Sequence, residues 1–86
     1  MNHHTQTIAL WLGNECEMYF EVQSMLANNK NVYDFAIQLR EFVKDRLFNS
    51  TDDAFIIDVL QSSLCEVNWR ELSDDYWTEY HNIDAA

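Results

Sequence analysis

The chain has 86 residues, 48% of them hydrophobic, with a single glycine, no proline and a formal net charge of −10. One domain burying roughly 60–65% of its unfolded surface is what this length supports, and the near absence of Gly and Pro excludes a turn-rich β-sandwich or barrel. Fifteen acidic residues against five basic ones exclude direct contact with DNA, RNA or an anionic membrane, which call for clustered Lys and Arg.

Residues 1–5, "MNHHT", read as a frayed start, and adjacent His3 and His4 do not close a metal site. "QTIALWLGN" predicts a short first helix stopped by Gly13, a residue suited to a left-handed C-terminal position. A strand through "IALWL" is the rival reading. That apolar run is far shorter than the ~20 residues a membrane span needs and lacks the basic flank of a signal sequence, so a cytosolic protein is expected.

Asn14, with Glu17 three residues on, resembles a capping box opening a second helix whose apolar stripe is Met18, Val22, Met25 and Leu26. The polar run "NNKN" breaks it, and Asn31 with Asp34 starts a third. There Val32, Phe35, Leu39, Phe42 and Val43 recur at three- and four-residue steps to about Phe48. In "NSTDD" Ser50 or Thr51 is the expected cap of a fourth helix, lined on its core side by Phe55, Ile56, Val59, Leu60, Ser63, Leu64 and Val67. Asn68, with Glu71 three later, opens the fifth. The expected fold is all-α, a compact bundle of four or five short helices forming one domain over residues 1–86.

Catalysis finds little footing. One glycine cannot build a P-loop or a Rossmann turn. Adjacent acids such as Asp52–Asp53 or Asp74–Asp75 point about 100° apart on a helix and do not converge on one atom. Cys16, Cys65 and His81 carry no spacing that brings them together, and both cysteines read as small core residues, buried free thiols in a reducing compartment. The chain is therefore expected to be non-enzymatic, with no cofactor and no metal.

The acidic residues divide by context. Glu15, Glu17, Asp34, Asp52, Asp53 and Glu71 fall in first helical turns, where negative charge complements the helix dipole. Glu41 and Asp45 lie beside Arg40 and Lys44. The surplus is Asp58, Glu66, Asp74, Asp75, Glu79 and Asp84, all in a half where Arg70 is the only basic residue after Arg46. On a helical wheel Trp69, Leu72, Ser73, Tyr76 and Tyr80 share one side, and Glu71, Asp75 and Glu79 form an i, i+4, i+8 row on another, with Asp74 nearer the opposite edge and Trp77 at the boundary. The row spaces charges by roughly 6 Å, comparable to successive phosphates along a DNA strand. Each such carboxylate pair repels by roughly 0.7 kcal/mol in water, a cost that a domain stable by about 5–10 kcal/mol carries without any selection for binding. Charge alone thus leaves two readings open: a solvated face, or a surface gripped by a basic partner through Glu71, Asp74, Asp75, Glu79, Trp77, Asp58 and Glu66.

Two stretches resemble a known family. "ALWLGNE" (9–15) followed by Tyr19, and "VNWREL" (67–72) followed by Trp77, are similar to segments of small acidic proteins carried by phages and conjugative plasmids. Those show an Ala-Leu-Trp-Leu-x-Asn-(Asp/Glu) opening and a Val-Asn-Trp-x-Glu-(Ile/Leu) segment near the end. The resemblance covers the two ends of the chain; residues 28–66 match only in helical pattern. It implies a mobile-element setting inside a bacterial host cell, where small acidic proteins act as DNA mimics. The implied function is a host-defence inhibitor, anti-CRISPR foremost or anti-restriction, whose partner is the basic nucleic-acid-binding surface of a Cas effector or restriction enzyme. A structural or adaptor module of a phage or plasmid is the alternative. No catalytic residue carries over. Asn14 and Asn68 read as caps, and Trp11 and Trp69 as core anchors.

Overall fold

A computed structural model describes the backbone of residues 1–85 and the side chains of residues 1–82; Asp84 of the acidic surplus lies outside the described side chains. It shows five helices and, among the described residues, no strand: α1 (His3–Asn14), α2 (Cys16–Asn28), α3 (Val32–Phe48), α4 (Ala54–Cys65) and α5 (Trp69–Ala85). The all-α bundle of short helices is thus the fold of this chain.

Capping side chains explain most of the boundaries. Asn31 Oδ1 accepts from the backbone N–H of Asp34 at 2.9 Å while Asn31 Nδ2 donates to the Asp34 carboxylate at 3.1 Å, so α3 starts where its sequence says it should. Asn68 Oδ1 accepts from the Glu71 N–H at 3.0 Å and opens α5 in the same way. At α4 the cap is Asp53, whose Oδ1 accepts from Phe55 and Ile56 N–H at 2.9 and 3.4 Å, rather than Ser50 or Thr51. Ser50 is already used, its hydroxyl donating to the Leu47 carbonyl at the end of α3.

Three expectations at the first two helices are corrected. Residues 1–5 are not frayed: Asn2 caps α1 by accepting from Thr5 N–H at 2.8 Å, and Thr5 is fully buried. Gly13 does not turn the chain through a left-handed conformation, since no glycine has positive φ. The helix runs through it to Asn14, and Glu15 alone, in extended conformation, separates α1 from α2. Asn14 therefore cannot cap α2; that position falls to Glu15, whose side chain makes no capping bond.

The core lies around α3. Phe35, Leu39 and Val43, one per turn, have no exposed surface, and α3 packs chiefly on α5 and also on α2 and α4. Leu12 of α1, Val22 and Leu26 of α2 and Leu72 of α5 complete the sealed interior, with Trp11 and Trp69 half-buried against it. The α5 wheel holds: Leu72 and Ser73 are buried and Trp69, Tyr76 and Tyr80 half-buried.

The α4 stripe does not hold. Leu64 is the one buried residue of that helix, Ile57 and Leu60 are half-buried, and Phe55, Ile56 and Val59 are exposed. Residues 55–57 are three consecutive large apolar side chains, which cannot share one helical side. The inward side is that of Ile57, Leu60 and Leu64, turned by roughly a quarter-turn from the expected one. The cysteines are also corrected: Cys16 and Cys65 are both free and exposed. They sit at the first residue of α2 and the last of α4, each about 100° or more around its helix from the middle of the side that faces the core.

Candidate functional site: the acidic face of α5 and its surroundings

The expected row on α5 is only partly a free surface. Asp75 and Glu79 are exposed, one helical turn apart. Glu71 is not freely presented. It is half-buried, with its Oε1 shut off from solvent 3.3 Å from the amino group of Met1. That contact is ionic and lacks the geometry of a hydrogen bond. Asp74 is half-buried and pairs with Arg70 one turn back at 3.6 Å. Arg70 in turn lies over the Tyr33 ring at 5.0 Å and donates to its hydroxyl at 3.4 Å. So the one Lys or Arg after Arg46 tethers α5 to the start of α3 and screens Asp74. A surface pair of this kind contributes at most about 1 kcal/mol.

Trp77, at the boundary of the wheel, is half-buried. Its ring packs 6.1 Å from Phe35 in the core and 4.6 Å from His81, which makes it a wall of the core with one accessible edge. Tyr76 beside it meets Phe35 edge-on at 6.5 Å. Burial raises the Tyr76 phenol pKa above its ordinary value, with smaller contributions from the Glu79 and Tyr19 charges, so the ring beneath the acidic face stays neutral.

Asp58 and Glu66 are exposed but sit on α4 and at its C-terminal end. Helix α4 rests chiefly on α3, not on α5. The Glu66 carbonyl accepts from Asn2 Nδ2 at 2.7 Å, which anchors the backbone there and leaves the carboxylate out. The structure therefore divides the predicted residues into a pair on α5, Asp75 and Glu79, and exposed carboxylates along α4.

Two features went unseen in the sequence. One is a polar clasp: Thr5 Oγ1 donates to Asn2 Oδ1 and accepts from the Asn68 N–H, each at 2.8 Å, joining the start of α1 to the start of α5. No local signal pairs residues 63 apart. The other is the outward apolar side of α4, which could have been suspected from a helix with one charged residue in twelve. Among the described residues, no three His, Cys, Asp or Glu side chains converge as a metal site, and no helix is long and apolar enough to cross a membrane. His3 and His4 stand side by side on α1, their rings 5.9 Å apart. Set against known protein families, curated proteins and solved structures, the chain matches none.

Proposed function

We propose that this chain is a non-catalytic inhibitor of a host defence nuclease, encoded by a mobile element, that binds a basic nucleic-acid-binding surface through its acidic side. The observation that carries the reading is the charge arrangement. Asp75 and Glu79 stand exposed on α5, Asp58 and Glu66 are exposed on and beside α4, and the only basic residue after Arg46 is Arg70, itself engaged by Asp74 and Tyr33. Carboxylates held on helices are pre-ordered, so a partner's Lys and Arg find them without a folding cost. At a net charge of −10 the field also steers such a partner to the encounter.

The test is displacement of DNA. Titrated into cleavage reactions of CRISPR effectors and restriction enzymes, the wild-type chain is expected to block DNA binding by its target, and to do so less at high salt. Asp75→Asn together with Glu79→Gln should weaken inhibition by about tenfold, taking roughly 0.5–1 kcal/mol for each charge pair lost, with an unchanged helical spectrum. Glu71 is left alone because it is tied to Met1. Inhibition undiminished in the double variant, or binding to a nuclease that leaves its DNA in place, would overturn the reading. A second reading, a docking module of a phage or plasmid, is favoured by one specific observation: the uncovered apolar side of α4.

A further inference from the structure

Helix α4 is apolar on more than one side. Its inward side is Leu64 with Ile57 and Leu60. On the wheel Phe55, Val59 and Ser62 lie almost opposite Leu64, with Ile56 at their edge, and these outward residues are 74% (Phe55), 48% (Val59) and 44% (Ile56) exposed. A helix with two apolar sides is one that ordinarily has neighbours on both. Here, among the described residues, one side has none. The other exposed aromatic residues are differently placed: Tyr33 carries the Arg70 guanidinium over one face of its ring, and Tyr19 and Phe20 lean edge-on against each other 6.0 Å apart.

The flanks of α4 are open as well. A cleft of about 480 Å³ lies on its α3 side, lined by Arg40, Lys44, Phe48, Gln61 and Trp69. A second, of about 400 Å³, lies on its α1 side, lined by His4, Trp11, Leu47 and Leu60. A helix standing proud between two clefts presents a ridge, and a partner helix laid beside such a ridge seats its own side chains in the grooves.

The charges around the ridge identify the occupant. Asp52, Asp53, Asp58 and Glu66 are exposed along and at the ends of α4, and no basic residue lies between Arg46 and Arg70. Arg40 and Lys44 line the α3-side cleft with Gln61 and Cys65, a cleft that neither Phe55 nor Val59 lines. A second copy fits poorly: pairing two α4 ridges sets acidic rim against acidic rim between chains of −10 each. Three side chains on one helix also fall well short of the ~800 Å² per partner of a stable interface, so opposite charge must supply the remainder. We infer that the outward face of α4 (Phe55, Ile56 and Val59 within a rim of Asp52, Asp53, Asp58 and Glu66) is a docking surface for an amphipathic helix of another protein, apolar on one side and flanked by Lys or Arg. Asp58 and Glu66 belong to both proposals, but the inference does not rest on the α5 pair, and the α5 and Phe55/Val59 variants tell the two apart.

Two synthetic helical peptides with the same Leu- and Phe-bearing face, one flanked by Lys and one by Glu, serve as probes against the full chain. Fluorescence anisotropy is expected to show saturable binding of the Lys peptide, weakened by salt, and none of the Glu peptide. Phe55→Gln with Val59→Gln should weaken binding at least about tenfold, as loss of a central anchor does. Both side chains are outside the core, so circular dichroism should not change. Asp58→Asn should weaken it about two- to fivefold and flatten the salt dependence. Asp75→Asn with Glu79→Gln should bind like wild type. Equal binding of both peptides, or wild-type binding by the Phe55/Val59 variant, overturns the inference. So does an equal loss in the α5 variant, which would mark unspecific attraction to an acidic protein. Sedimentation showing a dimer that the Phe55/Val59 variant dissociates overturns it too, since the occupant is then a second copy.

Discussion

Thr5 is the residue on which the two ends of the sequence meet. Its hydroxyl is buried, donates to Asn2 and accepts the Asn68 N–H, so it secures the cap of α1 and the entry to α5 together. Thr5→Val keeps the shape and removes both bonds, leaving a part-buried N–H without its acceptor. A loss of about 1–2 kcal/mol is expected, or a fall in Tm of roughly 5–15 °C for a chain of this size, and Thr5→Ser should recover part of it. An unchanged melting curve for Thr5→Val would show that solvent satisfies these groups equally well. Gly13 offers the opposite change. It lies inside α1 with ordinary helical φ, and a Cβ built there meets nothing within 4 Å. Gly13→Ala should therefore stabilise the fold by about 0.4–1 kcal/mol, read as a higher urea midpoint; a lower midpoint would mean that Gly13 is needed for the sharp joint at Glu15.

At the scale of elements, α3 and α4 are the extremes. Helix α3 has three residues without any exposed surface, packs on α2, α4 and α5, and is tied to the end of α2 where Asn29 Nδ2 donates to Gln38 Oε1 at 2.6 Å. Helix α4 buries Leu64 alone and rests chiefly on α3. Local opening costs least where few apolar contacts are broken. Amides of residues 57–63 are accordingly expected to exchange with deuterium well before those of residues 36–44, at rates insensitive to mild denaturant. Equal protection of the two helices would show that α4 opens only when the whole chain unfolds. The exposed acids of α5 belong to a tightly held element, which is why Asp75 and Glu79 can be neutralised without cost to the fold.

The whole molecule is longer than its size requires. Its radius of gyration is 13.2 Å, against about 12 Å for a typical globule of this length. Its longest extent is 46 Å, nearly twice the roughly 25 Å of a 17-residue helix. Staggered helices spread a net charge of −10 over more surface, yet self-repulsion remains. Added salt shortens the Debye length from about 10 Å at 0.1 M to about 3 Å at 1 M, so stability should rise with sodium chloride. A gain of about 0.5–1 kcal/mol is expected, the size of one screened carboxylate pair such as Asp75 and Glu79. Salt-independent unfolding would indicate that the ion pairs of Glu71 and Asp74 offset the repulsion.

What the chain spells out locally survived into three dimensions. The caps at Asn31 and Asn68 rest on contacts within one helical turn, and the inner sides of α3 and α5 are marked by polar residues opposite them, so residue types and spacing suffice to locate them. Helix α4 defeats the same method because a side can be read only where polar residues mark its opposite, and here Asp58 is the one charged residue in the helix. Which of its apolar sides turned inward was decided by where α3 left room. The same holds for Glu71 against the Met1 amino group and for Thr5 against Asn68. Those partners lie more than sixty residues apart, and a pairing at that distance exists only once the helices have packed.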